Sequence, residues 1–339
     1  MNVSKPDPSL AILIPNFNDW EALGLLLPEL DGAVEGLHHR VSVLLVDDAS
    51  NDPMPRDWPG QQFTAIHSVE VLYLRSNQGH QRAIALGLYH LHEFTDASIV
   101  VVMDADGEDR AQDIPELLQA FAAGEGTEVV FAARTRRMER LGFRLGYRAY
   151  RLIHHALTGV VVQVGNFSVI SRPLLARLIA VPDLWNHYAA SVYRARLPRR
   201  LVTLPRGRRL AGQSKMSFVS LLIHGLSAMS VFSDQVSGRL LTAAGAFAVI
   251  AMALIVVTVA VRWFTDLAIP GWATFTVGLL LVLVVQSLSF ATLFAFLIAG
   301  RRSALNFVLA RDAPYFILGK ASLPCTAERN STAARISDE

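Results

Sequence analysis

Ile99-Val-Val-Val-Met103, followed by Asp104-Ala-Asp106-Gly-Glu108-Asp109, is the stretch from which the rest of the chain is read. Five apolar residues, three of them valine, between polar flanks describe a strand buried on both faces. Four acidic residues occupy the six positions after it. In an open α/β sheet, ligands collect outside the carboxyl ends of the strands. Carboxylates this close repel one another, a cost that a bound cation removes. Their oxygens suit a hard divalent ion, Mg²⁺ or Mn²⁺, which would in turn bridge substrate phosphates. A lone Asp-x-Asp is more often a solvated loop, so the neighbouring strands decide the matter.

Upstream, Leu10-Ala-Ile-Leu-Ile14 reads as a buried strand stopped by Pro15, with Asn16-Phe-Asn18-Asp19 as its loop. Trp20 to Leu30 has helical spacing. Val41 to Val46 is a second strand, ending in Asp47-Asp48-Ala-Ser50-Asn-Asp52, and Val69 to Leu74 a third. Arg75-Ser-Asn77-Gln-Gly79-His80 and a helix through about His92 follow it. Strands alternating with helices predict βαβ units and a mainly parallel sheet. Acidic or amide residues after three of the first four strands are ordinary turn chemistry singly. Their recurrence along one sheet edge points to a nucleotide and metal site.

Downstream, Glu128 to Ala133 reads as a fifth strand leading into Arg134-Thr-Arg136-Arg137. An arginine- and aromatic-rich helix is expected from Leu141 to Leu157, then Val160 to Val164 before Gly165-Asn166-Phe167-Ser168. Ile170 to Ile179 looks helical. Leu201 to Leu204 is a late strand opening onto Pro205-Arg206-Gly-Arg208-Arg209-Leu-Ala-Gly212-Gln-Ser214-Lys215.

At 339 residues the chain is long enough for about two domains. A hydrophobic share of 52% and a mean hydropathy of +0.35 point to membrane spans. Phe218, Leu221, Leu222, Leu226, Met229 and Phe232 recur at helical spacing, as in an amphipathic helix at a membrane surface or against another protein element. Leu240 to Val261 and Ala273 to Gly300 carry no charge, and each is long enough to span a bilayer. Arg239, Arg301 and Arg302 outside the pair, against Arg262 between them, place both termini in the cytoplasm. The expected organisation is a catalytic domain over 1–212, an interfacial region over 213–238, a two-helix transmembrane hairpin over 239–302 and a tail over 303–339 with no clear fold signal. Met1 to Pro8 has the pattern of neither signal peptide nor anchor. The single Cys325 excludes an internal disulfide.

Charge is divided sharply along the chain. Residues 1–130 hold 6 Lys/Arg against 21 Asp/Glu, and residues 131–239 hold 18 against 3. An acidic half suits a metal, and an arginine-rich half suits phosphates or anionic lipid. The charge-free, membrane-length spans disfavour nucleic acid as the polyanion.

Pro15-Asn-Phe-Asn18-Asp19, Val46-Asp47-Asp48-Ala-Ser50, Asn77-Gln-Gly79-His80, Asp104-Ala-Asp106, Gly165-Asn166-Phe and Gly212-Gln-Ser214-Lys215 occur here in the order seen in family 2 glycosyltransferases. With two membrane helices after them, they more narrowly resemble the polyprenyl-phosphate glycosyltransferases, which include dolichol-phosphate mannose synthase and bactoprenol glucosyltransferases. The resemblance covers Leu10 to Phe232. It implies a GT-A fold, Rossmann-like with a mainly parallel sheet, at the cytoplasmic (inner) membrane. The implied reaction is hexosyl-type transfer from a nucleotide-diphosphate sugar to a polyprenyl phosphate with inversion, as in cell-envelope glycan synthesis. Pro15, Asn18, Asp19, Asp48, Asn77, Gly79 and Asp104 would face the nucleotide sugar, and Asp106, joined by Glu108, the metal. Arg134, Arg137, Arg206, Arg209, Ser214 and Lys215 would hold donor and acceptor phosphates. Some members associate, so a homo-oligomer is compatible with the resemblance.

Four positions depart from the family pattern, Ser168 among them, where close relatives usually carry arginine. Asp19 stands where glutamate is usual and Glu108 where glutamine is common. Asn166 stands where relatives carry the aspartate proposed as catalytic base, and an amide cannot take that proton. A phosphate monoester, with a second pKa of about 6, is already largely ionised at neutral pH and needs little help. Asn166 would then orient the acceptor by hydrogen bonding; the alternative is an impaired enzyme or a different acceptor. The rival readings are a processive polysaccharide synthase, whose Gln-x-x-Arg-Trp string is absent, and a non-catalytic membrane scaffold on the same fold.

Overall fold

The computed structural model describes residues 9–55, 58–59, 62–134, 152–160, 164–212, 225–265, 269, 271–303 and 307–323. They divide into two compact units. The first is built on eight strands: β1 (Ser9–Asn16), β2 (Arg40–Asp47), β3 (Ile66–Leu74), β4 (Ile99–Val102), β5 (Val129–Arg134), β6 (Ser168–Ser171), β7 (Arg199–Leu204) and β8 (Ile317–Leu323), ordered β7-β5-β6-β4-β1-β2-β3-β8. β6 runs antiparallel between β4 and β5, and β8 antiparallel to β3; the other pairs are parallel.

Burial on both faces follows from the helices. α1 (Trp20–Val34) and α3 (Ile114–Ala123) cover one face, where Leu23, Leu26, Leu27 and Leu117 pack with Ile12, Ile14, Val43 and Val101. On the other face, α2 (His80–Phe94), α4 (Arg172–Ile179) and α5 (Tyr188–Arg194) meet Leu13, Leu44, Val46, Val100 and Val102. Alternate residues of one strand thus enter opposite cores, which is why β1 and β4 read as unbroken apolar runs.

Three expectations are corrected. β1 continues through Pro15 to Asn16. β4 pairs with β1 only as far as Leu13, so a residue lacking an N–H is tolerated beyond that rung. Ile170 is not helical: Ser168–Ser171 is a wholly buried strand, and the helix begins at Arg172, with Pro173 in its first turn. Residues 307–323, in a tail expected to carry no clear fold signal, rejoin the first unit. Phe307 stacks on Trp185 at 4.1 Å between ring centroids, Phe316 lies 4.9 Å from the same ring, and β8 pairs along β3 from Leu74↔Ile317 to Val69↔Leu323. Ile317-Leu-Gly-Lys-Ala-Ser-Leu323 has no clean alternation because an edge strand buries little on either face.

The second unit contains α6 (Ser233–Phe264) and α7 (Trp272–Ser303), packed side by side and both long and apolar enough to cross a membrane. Val249, Val256, Val257, Val282 and Val285 are exposed on them, as suits lipid rather than water as solvent. In the same unit, Arg239 Nη1 donates to the carbonyls of His155 (3.2 Å) and Ala156 (2.6 Å), satisfying orphan groups at the end of helical residues 152–158. Of the expected interfacial helix, residues 225–230 are helical, and 213–224 lie outside the described residues.

The Trp185 stack predicts that Trp185→Ala lowers stability by about 3 kcal/mol and opens residues 307–323 to protease. Unfolding of the full chain in detergent, with limited proteolysis, measures both; an unaltered cleavage pattern would show that strand pairing alone holds the segment.

Candidate active site

The carboxyl ends of β1, β2 and β4 lie together, and their loops are tied by side chains. Asn16, buried at the end of β1, donates from Nδ2 to Asp47 Oδ1 of β2 at 3.0 Å, and the Ser50 hydroxyl donates to the same oxygen. The Asn18 backbone N–H donates to Ser50 Oγ (2.8 Å), while Asn18 Oδ1 accepts from the Asp52 N–H (3.0 Å). Asn18 can do both because it sits at φ +55°, a region amides tolerate. The Asp19 N–H donates to Asn16 Oδ1 at 3.2 Å. Asp48 accepts from the N–H groups of Gln78 (2.6 Å) and Gly79 (2.8 Å), which anchors the turn entering α2. Burial pushes the Asp48 carboxyl above the usual carboxylate range, against the pull of those two N–H groups.

The acidic loop after β4 is organised from within. Asp109, 1% exposed, accepts the Asp104 N–H at 2.9 Å, and Asp106 Oδ1 accepts the Glu108 N–H at 2.9 Å. The loop after β7 lies directly on it. The Leu210 N–H donates to the Asp106 carbonyl and the Gly207 N–H to the Glu108 carbonyl, both at 2.9 Å. Two glycines permit this approach: a Cβ on Gly107 would fall 2.4 Å from Leu210 Cγ, and one on Gly207 2.3 Å from the Gly107 carbonyl oxygen. Arg209 Nη2 thereby reaches Asp106 Oδ2 at 2.7 Å, and Arg206 pairs with Glu108. Burial pushes Asp106 upward, helped by the charges of Asp104 and Glu108, while the Glu108 N–H and Arg209 pull it back.

Asn166 closes the cluster from the segment before β6. It is buried, with Nδ2 2.9 Å from His80 Nε2 and 3.4 Å from Asp104 Oδ1, and its Oδ1 accepts from Gln81 Nε2 at 3.1 Å. His80 Nε2 is 3.3 Å from Asp104 Oδ1, and its side chain is 43% exposed. Burial works to lower the His80 pKa, but the charge and hydrogen bond of Asp104, then Asp109 and Asp106, outweigh it and raise the group.

The structure thus brings together Asn18, Asp19 and Asp48 around one pair of loops, and Asp104, Asp106, Glu108, Asn166, Arg206 and Arg209 around the acidic loop. Pro15 is buried under the first pair, Gly79 caps α2, and Asn77 is exposed. Arg134 ends β5 opposite Leu204, without a described side chain, and Arg137, Ser214 and Lys215 lie outside the described residues. Gln81 belongs to the site although no motif named it, and Asn16, Asp47 and Asp109, which the motifs carry without an assigned role, are linked to it by folding. Among the described residues no three of His, Cys, Asp and Glu form a complete ligand set. Asp106 and Glu108 still fit a Mg²⁺-like ion, which takes one or two carboxylates and completes its shell with water and substrate phosphate.

A histidine whose folded-state pKa is raised stabilises the fold fully below its unfolded pKa of about 6.5, and that contribution is lost as pH rises through the higher folded value. In metal-free protein, unfolding stability should therefore fall more steeply with rising pH in wild type than in His80→Gln. Equal slopes in denaturant titrations would mean that Asp104 does not hold the imidazolium.

Residues 11–179 match the profile of glycosyl transferase family 2. The Uncharacterized glycosyltransferase YkcC of Bacillus subtilis is 23% identical over 327 residues, covering 92% of this chain and 93% of that protein. The undecaprenyl-phosphate 4-deoxy-4-formamido-L-arabinose transferase of Klebsiella pneumoniae is 27% identical over 231 residues, or 64% of this chain and 65% of the relative. Mannosyl-3-phosphoglycerate synthase from Rubrobacter xylanophilus superimposes with a TM-score of 0.50 at 17% identity, over 67% of this chain and 74% of that one. At that identity the likeness speaks to the fold alone, which is of the GT-A type. The matched segment carries every strand from β1 to β6, the acidic loop and Asn166. A sheet of this order with its acidic loop, joined to the match along that segment, makes the chain a glycosyltransferase of family 2.

Proposed function

We propose that this chain transfers a sugar, with inversion, from a nucleotide-diphosphate sugar to the phosphate of a membrane polyprenyl phosphate. The observation that carries the reading is the acidic loop countered by Arg206 and Arg209 beside the buried Asn166, in a chain that also has two membrane-length helices. The undecaprenyl-phosphate acceptor in the name of the Klebsiella relative supports the lipid class.

In this reading Pro15, Asn18, Asp19, Asp48, Asn77, Gly79 and Asp104 receive the nucleotide side of the donor. Asp106 and Glu108 would hold Mg²⁺ or Mn²⁺, whose chemistry is to neutralise charge on the departing diphosphate. Arg206 and Arg209, already at those carboxylates, are within reach of phosphates held there, and Arg134, Arg137, Ser214 and Lys215 are assigned to the same anions. An acceptor phosphate oxygen attacks the anomeric carbon, and the bond to the diphosphate breaks with its electron pair leaving on the nucleotide. The acceptor is ionised beforehand, so Asn166 has a hydrogen bond to give rather than a proton to take. The arginines flanking the helices support a reading with the catalytic unit and both termini on the cytoplasmic side.

The full chain in detergent, given radiolabelled UDP-glucose, UDP-GlcNAc or GDP-mannose with Mn²⁺ and polyprenyl phosphate, should yield organic-soluble label from one donor. Asp106→Asn should cut that yield by about 100-fold or more. Absence of both donor binding and product across the panel would end the proposal.

A further inference from the structure

A buried carboxamide has two faces of similar shape and opposite chemistry, and which one meets the substrate is decided by its partners. At Asn166 that decision traces to the backbone. The Tyr188 N–H, at the start of α5, can only donate, and it points at Gln81 Oε1 at 2.8 Å. Gln81 therefore turns Nε2 toward Asn166, where it meets Oδ1 at 3.1 Å. With its oxygen so engaged, Asn166 turns Nδ2 toward Asp104 Oδ1 (3.4 Å) and toward His80 Nε2 (2.9 Å), which accepts from it when the imidazole is neutral. Gln81 and Asn166 are 8% and 7% exposed, so water does not compete for these bonds. The reversed amide would set its oxygen against the Asp104 carboxylate.

We propose that Gln81 is a positioning residue, holding the Asn166 carboxamide with its N–H edge toward the acceptor phosphate. This rests on the transfer reaction proposed above. Gln81 does not touch the reacting atoms; it transmits the polarity of one backbone N–H through two amides to the place where an anion binds. An aspartate at 166 would accept from Gln81 equally well but would set a second negative charge beside Asp104. The amide at 166 and the glutamine at 81 are thus two halves of one arrangement.

Two measurements on the full chain test it. The first needs no turnover. At a pH above the end of its own titration, His80 in metal-free protein should carry its proton on Nδ1, because neutral Nε2 accepts from Asn166. Ring ¹⁵N shifts read this, assigned by the signal missing from His80→Gln; a proton on Nε2 would overturn the orientation. The second is a double-mutant cycle. Gln81→Met should raise the KM for polyprenyl phosphate by about tenfold, the loss of one hydrogen bond to a charged group, while nucleotide-sugar affinity stays within about twofold. In an Asn166→Ala background the same substitution should leave the lipid KM where it was. A purely structural Gln81, supporting α5, would cause the same loss in both backgrounds, and that result sinks the proposal, as does an unchanged lipid KM. Should Gln81→Met not fold, Gln81→Leu serves in its place, read by the same lipid KM in both backgrounds, and no rise would overturn the proposal. If wild type forms no lipid product, the transfer reaction is what fails, and the His80 tautomer, compared between wild type and Gln81→Met, still decides whether Gln81 sets the amide.

Discussion

The close contact between the loop after β4 and the loop after β7 is the constraint on which the site depends. Carboxylates in the first loop are largely withdrawn from water, and burial alone pushes Asp106 toward its neutral form. Charge from the second loop offsets that cost through Arg209 on Asp106 and Arg206 on Glu108. Glycine at 107 and 207 lets the two backbones come near enough for hydrogen bonds between them. The acidic first part of the chain and the basic second part meet at this seam, where two arginines offset two of the loop's carboxylates.

A pair of guanidiniums on a pair of carboxylates is a sensible resting arrangement for a site that handles a diphosphate. Under the proposed function the same arginines and the same carboxylates serve opposite partners, anionic phosphate and divalent cation, so neither set is stranded when the substrate leaves. Asn166 fits this setting. Asp104 is 3.4 Å from its Nδ2, a separation at which an amide hydrogen bonds and a second carboxylate would repel. With an ionised phosphate as acceptor, the missing base at this position is no obstacle to the reaction.

How much of this was readable beforehand varies with the element. β1 to β5 were legible because strands packed on both faces must be apolar at every position, and the helices between them left few topologies. β6 was hidden: Val169-Ile170 continues into Leu174 and Leu178 at spacings that suit a helix, and only insertion between β4 and β5 makes the first part extended. β8 was hidden for the opposite reason. It draws its order from β3 and from the aromatic contacts of Trp185, leaving no periodic trace in its own residues.

The same division runs through the site. Asp104, Asp106, Glu108 and Asn166 were recognisable from residue type, from position after a strand and from the order of motifs along the chain. Their partners were not. Asn166 meets Asp104 across 62 residues, Gln81 meets Asn166 across 85, and Tyr188 meets Gln81 across 107. Local chemistry is written in neighbouring letters, so an acidic turn, a buried strand or a charge-free span declares itself. Which donor faces which acceptor, and which arginine settles on which carboxylate, depends on contacts between distant segments, and those come into being when the sheet assembles.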